Sequence, residues 1–274
     1  MESKKRIAFC LFGQVRFVDK LKEYYEFLCD NDNYTVDIFI ATWNDFDTNL
    51  LNLNFKDKLF IEKEVAERVG AKGNTSKMAY SLSNSIQLKR KAEIEENFTY
   101  DYVVVKRVDL VLRKSVFYDS LAKINFDNET LPCVYALDEF SLTQEKNSTN
   151  SFPAYRISQD YTFIENSLAA DLHSLMYSFF WIHKHQQKLN ITYREGGHWN
   201  HIYFFKFFNF NIRSIFLEFF LVRPVLDHKV FEEYANSEEL VHKLAMAKIK
   251  YKKDKKKYWQ LDNLGKYRFK DKIV

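Results

Sequence analysis

The stretch "YDYVVVKRVDLVL", Tyr100–Leu112, decides how the rest of the chain is read. Tyr102–Val105 is short, apolar and β-branched, the composition of a strand buried on both faces. With no intervening turn residue come Lys106, Arg107 and Asp109, after which Leu110, Val111 and Leu112 resume the apolar run. The segment therefore reads as one strand with a charged interruption near its end. An unpaired buried charge is strongly unfavourable, so these groups must be wet, paired with each other, or turned toward a charged ligand. On this stretch alone, a solvated strand end with an internal Arg–Asp pair and a ligand site are equal contenders.

Outward from that stretch, strands and helices alternate. "RIAFCLF" reads as a first strand ending at Gly13-Gln14-Val15-Arg16, and "VDKLKEYYEFLC" as a helix with Leu21, Tyr24, Tyr25 and Leu28 on one face. "YTVDIFIAT" is a second strand closing in Trp43-Asn44-Asp45, with a short third strand around "KLFIEKE". "SKMAYSLSNSIQLKRKAEIEENF" is a long helix whose Met78, Leu82, Ile86 and Leu88 can face a core. "PCVYAL" and "SIFLEFFLVRP" are further strands, and "SQDYTFIENSLAADLHSLMYSFFWIHKHQQ" runs from a loop or strand into a helix. This order predicts an α/β fold with a mostly parallel central sheet flanked by helices. Ligands of such sheets sit beyond the carboxyl ends of the strands. Three predicted strands end there in polar groups: Gln14 and Arg16, Thr42 with Trp43 and Asp45, and Arg107 with Asp109. One polar strand end is routine, but three on one edge suggest a site.

Composition narrows the classes. The 274 residues are 46% hydrophobic and 17% aromatic, enough for a packed core, with only six Gly and three Pro. No glycine-rich phosphate loop and no dinucleotide fingerprint occurs. Cys10, Cys29 and Cys133 are isolated and lack metal spacing, which predicts buried, reduced thiols and a cytoplasmic chain. The apolar region "HIYFFKFFNFNIRSIFLEFFLV" is interrupted by Lys206, Arg213 and Glu218 and reads as a buried helix followed by a strand rather than a membrane span. The run Phe204, Phe205, Phe207, Phe208 reads as core. The net charge of +4 hides a strongly basic end, with eleven Lys and Arg against three Asp between Lys248 and Lys272. That segment, mixed with Tyr251, Tyr258 and Trp259, suits peripheral contact with an anionic membrane surface through 248–272, or a solvated helix face.

Taken in order, "FCLFGQVR", "DIFIATWND", "SKMAYSLSNSIQL", "YDYVVVKRVDL", "SQDYTFIENSLAADL" and "FLVRP" resemble a family of GT-A-like nucleotide-sugar glycosyltransferases that build microbial and viral surface glycans. The similarity spans roughly residues 6 to 224, and its specificity lies in the order of short motifs. The resemblance implies a single GT-A-like (Rossmann-like) domain over 1–228; beyond it, 229–274 reads from its own composition as a basic helical extension packed on or trailing from that domain. It implies that Gly13, Gln14 and Arg16 lie against the nucleotide. Thr42 and Trp43 would lie near the base or ribose, and Met78, Tyr80 and Ser81 would line the nucleotide pocket. It places Arg107-Val108-Asp109 where other GT-A enzymes carry D-x-D, so Asp109 is the candidate ligand of Mn²⁺ or Mg²⁺. Arg107 stands where the first of those carboxylates would be, which leaves metal independence open. Asp160 matches the acceptor-side carboxylate and is the candidate catalytic base.

Glycosyl transfer needs stabilisation of the departing diphosphate and an oriented acceptor hydroxyl. Arg107, Lys106 and Arg16 can supply the cations. The donor expected is a nucleotide sugar, UDP- favoured over GDP- or CMP-, and the acceptor a glycan or lipid-linked glycan. Among the histidines, His198, His201 or His228 could add a metal ligand, against a core or surface role for each. Two alternatives stay open: a sugar nucleotidyl- or phosphotransferase on a similar sheet, and a non-catalytic nucleic-acid-binding protein using the basic tail.

Overall fold

A computed structural model describes residues 4–15, 18–44, 53–71, 73–127, 129–137, 162–179, 201, 204–205, 207–215, 217, 219–221, 259–261 and 267–269. The chain begins with β1 (Lys5–Gly13), α1 (Val18–Cys29), β2 (Tyr34–Trp43), β3 (Asp57–Ile61), α2 (Lys63–Arg68) and α3 (Asn74–Glu96). Next come β4 (Tyr102–Arg107), β5 (Leu110–Leu112), α4 (Lys114–Leu121), β6 (Cys133–Leu137), β7 (Thr162–Glu165) and α5 (Ser167–His173). The last elements are β8 (Asn211–Ile215), β9 (Phe219–Leu221), β10 (Trp259–Leu261) and β11 (Tyr267–Phe269). The main sheet has seven strands in the order β3-β2-β1-β4-β7-β6-β8. Only β7 runs antiparallel to its neighbours, so the fold is α/β with a mostly parallel sheet.

The strand pattern explains the layers. Along β1, Ile7, Phe9 and Leu11 pack toward α1, while Ala8, Cys10 and Phe12 pack toward α3 and α5, and all six are fully buried. Helix α1 turns Leu21, Tyr24, Tyr25 and Leu28 inward, as its spacing predicts. Helix α3 buries Leu82 and Ile86, with Met78 and Leu88 half-buried beside them. It begins where Ser76 Oγ bonds both to the Gly73 N–H and to the Gly73 carbonyl, and it ends at Asn97 in the left-handed region, φ 53°.

Two predicted strands are each broken in two. Tyr102–Leu112 is not continuous: β4 stops at Arg107, Val108 and Asp109 turn, and β5 pairs antiparallel with β9 in a separate two-stranded sheet. Strand β1 ends at Gly13 with φ +96°, so beyond the Phe12–Arg107 pairing β4 has no parallel partner left. Leu110, Val111 and Leu112 find their burial in the second sheet instead. "SIFLEFFLVRP" divides in the same way, into β8 beside β6 and β9 beside β5.

The C-terminal segment was expected to be helical, but its described residues form the antiparallel pair β10–β11. Trp-Gln-Leu and Tyr-Arg-Phe each alternate apolar and polar, the two-residue period of a strand. Phe204 and Phe205 are fully buried, as read from the sequence, whereas Phe207 of the same run is 72% exposed and Phe208 is half-buried. No helix among the described residues is long and apolar enough to cross a membrane.

Candidate functional site

The parallel strands β1, β2 and β4 end side by side, because Gly13 pairs in register with Thr42 and Phe12 with Arg107. Three polar strand ends read separately from the sequence thus share one edge. Two hydroxyls fasten it. Thr42 Oγ1 donates to the Gly13 carbonyl at 2.6 Å, and the Gly13 N–H donates to Ser81 Oγ at 3.3 Å. Ser81 in turn donates to the Met78 carbonyl. Thr42 and Ser81 are both fully buried, so their hydroxyls serve as scaffold rather than standing open to a ligand. At Gly13 a methyl group would meet nothing within 4 Å, so open space faces its α-carbon. Gln14 follows as an exposed residue.

Beside this edge, Trp43 stacks on Tyr80 with ring centroids 6.2 Å apart and planes 30° apart. Tyr80 meets Tyr177 edge-on at 5.0 Å. The ammonium of Lys77, in the first turn of α3, lies 5.7 Å from the Trp43 ring centre, within cation–π range. Lys77 was not singled out from the sequence. Its signal was there: a cation one turn before Ser81, in a helix whose first turn carries no acidic residue.

The charged trio at the end of β4 separates into two arrangements. Arg107 and Asp109 form a two-pronged ion pair, Nε to Oδ1 at 2.9 Å and Nη2 to Oδ2 at 2.7 Å. The Asp109 side chain is 1% exposed and that of Arg107 20%, so of the pair Arg107 is the member with surface a ligand can reach. Lys106 does not join them at the edge. Strand alternation turns it to the α1 face, where it is fully buried and donates to Tyr25 Oη at 2.6 Å. Loss of hydration pulls its amine down to about 7, although the nearby Asp109 carboxylate acts the other way. Lys106 is therefore withdrawn as a direct ligand contact, because no surface of it is open to one.

The metal expectation is tested by donor chemistry. Both Asp109 carboxylate oxygens already bond the guanidinium, whereas a hard cation asks for several free oxygen donors. Among the described residues no three His, Cys, Asp or Glu stand together as a metal set. The residues described at this edge do not fit Mn²⁺ or Mg²⁺. His201, one of the candidate ligands, lies in the core, stacked on Phe163 at 5.1 Å and edge-on to His173 at 5.2 Å. His173 there meets Glu165 at 2.7 Å, both fully buried. Arg16, Asp45, Asp160, His198 and His228 lie outside the described residues, as does 248–272 apart from 259–261 and 267–269.

Cys10, Cys29 and Cys133 are free thiols. Burial raises all three, Cys29 to about 12 and Cys133 to about 11, which makes them poor nucleophiles.

No protein-family model matches the sequence, and no curated protein matches it. Among solved structures, the chain is similar to a glycosyltransferase involved in the glycosylation of the major capsid of PBCV-1. That likeness has 11% identity and a TM-score of 0.42 over 76% of this chain and 80% of the other. It is also similar to the glycosyltransferase GlyE of Streptococcus pneumoniae TIGR4, at 10% identity and a TM-score of 0.41, covering 90% of this chain and 64% of that one. A third likeness is to 4-diphosphocytidyl-2C-methyl-D-erythritol synthase from Anaerococcus prevotii DSM 20548, at 8% identity and a TM-score of 0.34, covering 89% and 98%. Likenesses this distant assign no activity, so any functional reading has to stand on the strand-end geometry.

Proposed function

We propose that the chain transfers a glycosyl group from a nucleotide-sugar donor to a glycan or lipid-linked glycan acceptor. The observation that carries this reading is the Arg107–Asp109 pair, held at the end of β4 next in register to the open strand end at Gly13. A guanidinium already oriented by a carboxylate presents its remaining N–H donors to an anion, and Arg suits diphosphate oxygens by its planar fork. Beside the end of β2, Trp43 is buried at 8% exposure and backs the half-buried Tyr80 and Lys77, the aromatic and cationic groups of this cluster that a base could meet. The Gly13 backbone can approach the donor closely because no side chain intervenes.

In this reading the acceptor oxygen bonds to the anomeric carbon as the bond from that carbon to the diphosphate breaks. The leaving diphosphate keeps the electron pair, and Arg107 stabilises its charge. Asp109 holds Arg107 in place, and Asp160 is the residue proposed to take the acceptor's proton. No step is routed through a metal. UDP-sugars are the proposed donors, with GDP- and CMP-sugars as the comparison.

The test is a panel of UDP-, GDP- and CMP-sugars, with and without Mn²⁺, followed by thermal shift and by release of the free nucleotide. One nucleotide class should raise Tm selectively, and Arg107→Ala should abolish that shift, read against the variant's own unliganded Tm, which falls because the buried Asp109 carboxylate loses its cation. Release of pyrophosphate instead of a nucleoside diphosphate would assign a nucleotidyltransferase. No response to any donor would end the proposal.

A further inference from the structure

The turn that carries Asp109 is held from behind by α1, through contacts that a sequence reading treats as ordinary core. Tyr25 Oη accepts from Lys106 Nζ at 2.6 Å and donates to the Val108 carbonyl at 3.0 Å. Next to it, Tyr24 Oη accepts from the Leu112 N–H at 2.8 Å. The two rings meet edge-on at 4.9 Å, and the Lys106 ammonium lies 4.7 Å from the Tyr25 ring centre and 5.6 Å from that of Tyr24. Both tyrosines and Lys106 are buried. On the opposite side the Val108 N–H donates to the Phe12 carbonyl at 2.9 Å, which ties the turn to β1. Anchors therefore bracket Val108–Asp109 in sequence and in space.

We propose that Tyr24, Tyr25 and Lys106 are positioning residues that fix the Val108–Asp109 turn, and with it the direction of Arg107, for an anionic ligand at the strand ends. The inference rests on the nucleotide-sugar reading and names a device that the reading does not require. In its protonated form Lys106 can only donate, so its bond to Tyr25 Oη leaves the hydroxyl proton free to point at the Val108 carbonyl. Lys106 thereby fixes the hydroxyl's orientation, and the hydroxyl fixes the turn. A buried lysine served by one hydroxyl and two rings is costly for a fold whose only need is packing. Tyr118 offers a comparison, since its hydroxyl donates to the Leu28 carbonyl at 2.8 Å, on the same helix but away from the turn.

The experiment measures UDP binding by calorimetry, alongside amide hydrogen exchange, for the wild-type chain and for Tyr25→Phe, Tyr24→Phe, Lys106→Met and Tyr118→Phe. Tyr25→Phe and Lys106→Met are each expected to weaken UDP about ten-fold, the size of one net hydrogen bond. Tyr24→Phe should quicken exchange at the Leu112 amide, and Tyr118→Phe should leave UDP affinity unchanged. Unaltered UDP affinity in both Tyr25→Phe and Lys106→Met would overturn the inference and leave the proposed function standing. An equal loss in Tyr118→Phe would also overturn it, by making the effect one of general packing. If the wild-type chain binds none of UDP, GDP or CMP, the proposed function falls and takes this inference with it.

Discussion

Among the described residues two lysines, Lys89 and Lys106, are completely buried, and the fold treats them in opposite ways. Lys89, on α3, donates to Asp171 at 2.9 Å and to Ser167 Oγ at 2.8 Å, and it meets Glu93 at 2.8 Å. Glu93 is itself satisfied by Ser167 Oγ and by the Tyr100 N–H. This network ties α3 to α5 and to the approach of β4. Lys106, on the other face of the sheet, has a tyrosine hydroxyl and two aromatic rings, and Asp109 reaches it only through space. A fold that fully partners one buried ammonium can do so for another. Where it does not, the under-compensated group sits directly behind the strand end that carries the candidate site, in keeping with the tendency of perturbed groups to gather at functional sites.

Removing a partner from Lys89 breaks the comparison most severely. Glu93→Ala leaves a buried cation with one carboxylate fewer and takes the acceptor from the Ser167 hydroxyl proton and the Tyr100 amide, and chemical denaturation should show a loss of about 3–5 kcal/mol. Lys106→Met should act in the opposite direction. The amine is held near 7 in the folded chain, against 10.5 without burial, so between those pH values the unfolded chain binds more protons. The folding penalty from Lys106 is thus full below about pH 7 and fades as the pH rises toward 10.5. The variant should therefore be more stable than wild type by about 2 kcal/mol at pH 6 and lose that advantage at high pH, as read by urea denaturation across a pH series. A variant that gains stability and loses UDP affinity would be the signature of a group retained for function. The smallest effect concerns the strand end. Gly13→Ala meets open space but has to adopt φ +96°, and should cost about 1 kcal/mol in thermal unfolding.

The sequence made the layered α/β arrangement readable, because a two-faced apolar run such as Val103–Val105 suits a central strand and the spacing of Leu21, Tyr24, Tyr25 and Leu28 suits a helix. The break at Val108–Asp109 was not readable, since Leu110–Leu112 is as apolar as the strand before it and no turn residue marks the boundary. Only the loss of β4's partner beyond Phe12, together with pairing to a strand over a hundred residues away, divides the run. The antiparallel pairing of β10 with β11 was missed for a different reason. Its alternation is confined to three residues a side, and the lysines before it gave the segment a helical, solvated look. At the candidate site, Trp43 and the Arg107–Asp109 pair were named from residue type and position, and Gly13 and Tyr80 through the resemblance. The scaffold roles of Thr42 and Ser81, and the contribution of Lys77, were not.

What the linear sequence determined by itself is local and periodic: which runs are strands or helices, which faces are apolar, and which strand ends carry polar groups. Tertiary structure alone decided how those ends are used. Whether Lys106 faces a ligand or the back of α1 depends on one step of strand alternation, fixed by the pairing of β4 with β1 and β7. A charge at the end of a strand is available or enclosed according to its neighbours across the sheet, and those neighbours are set by contacts far apart in the chain.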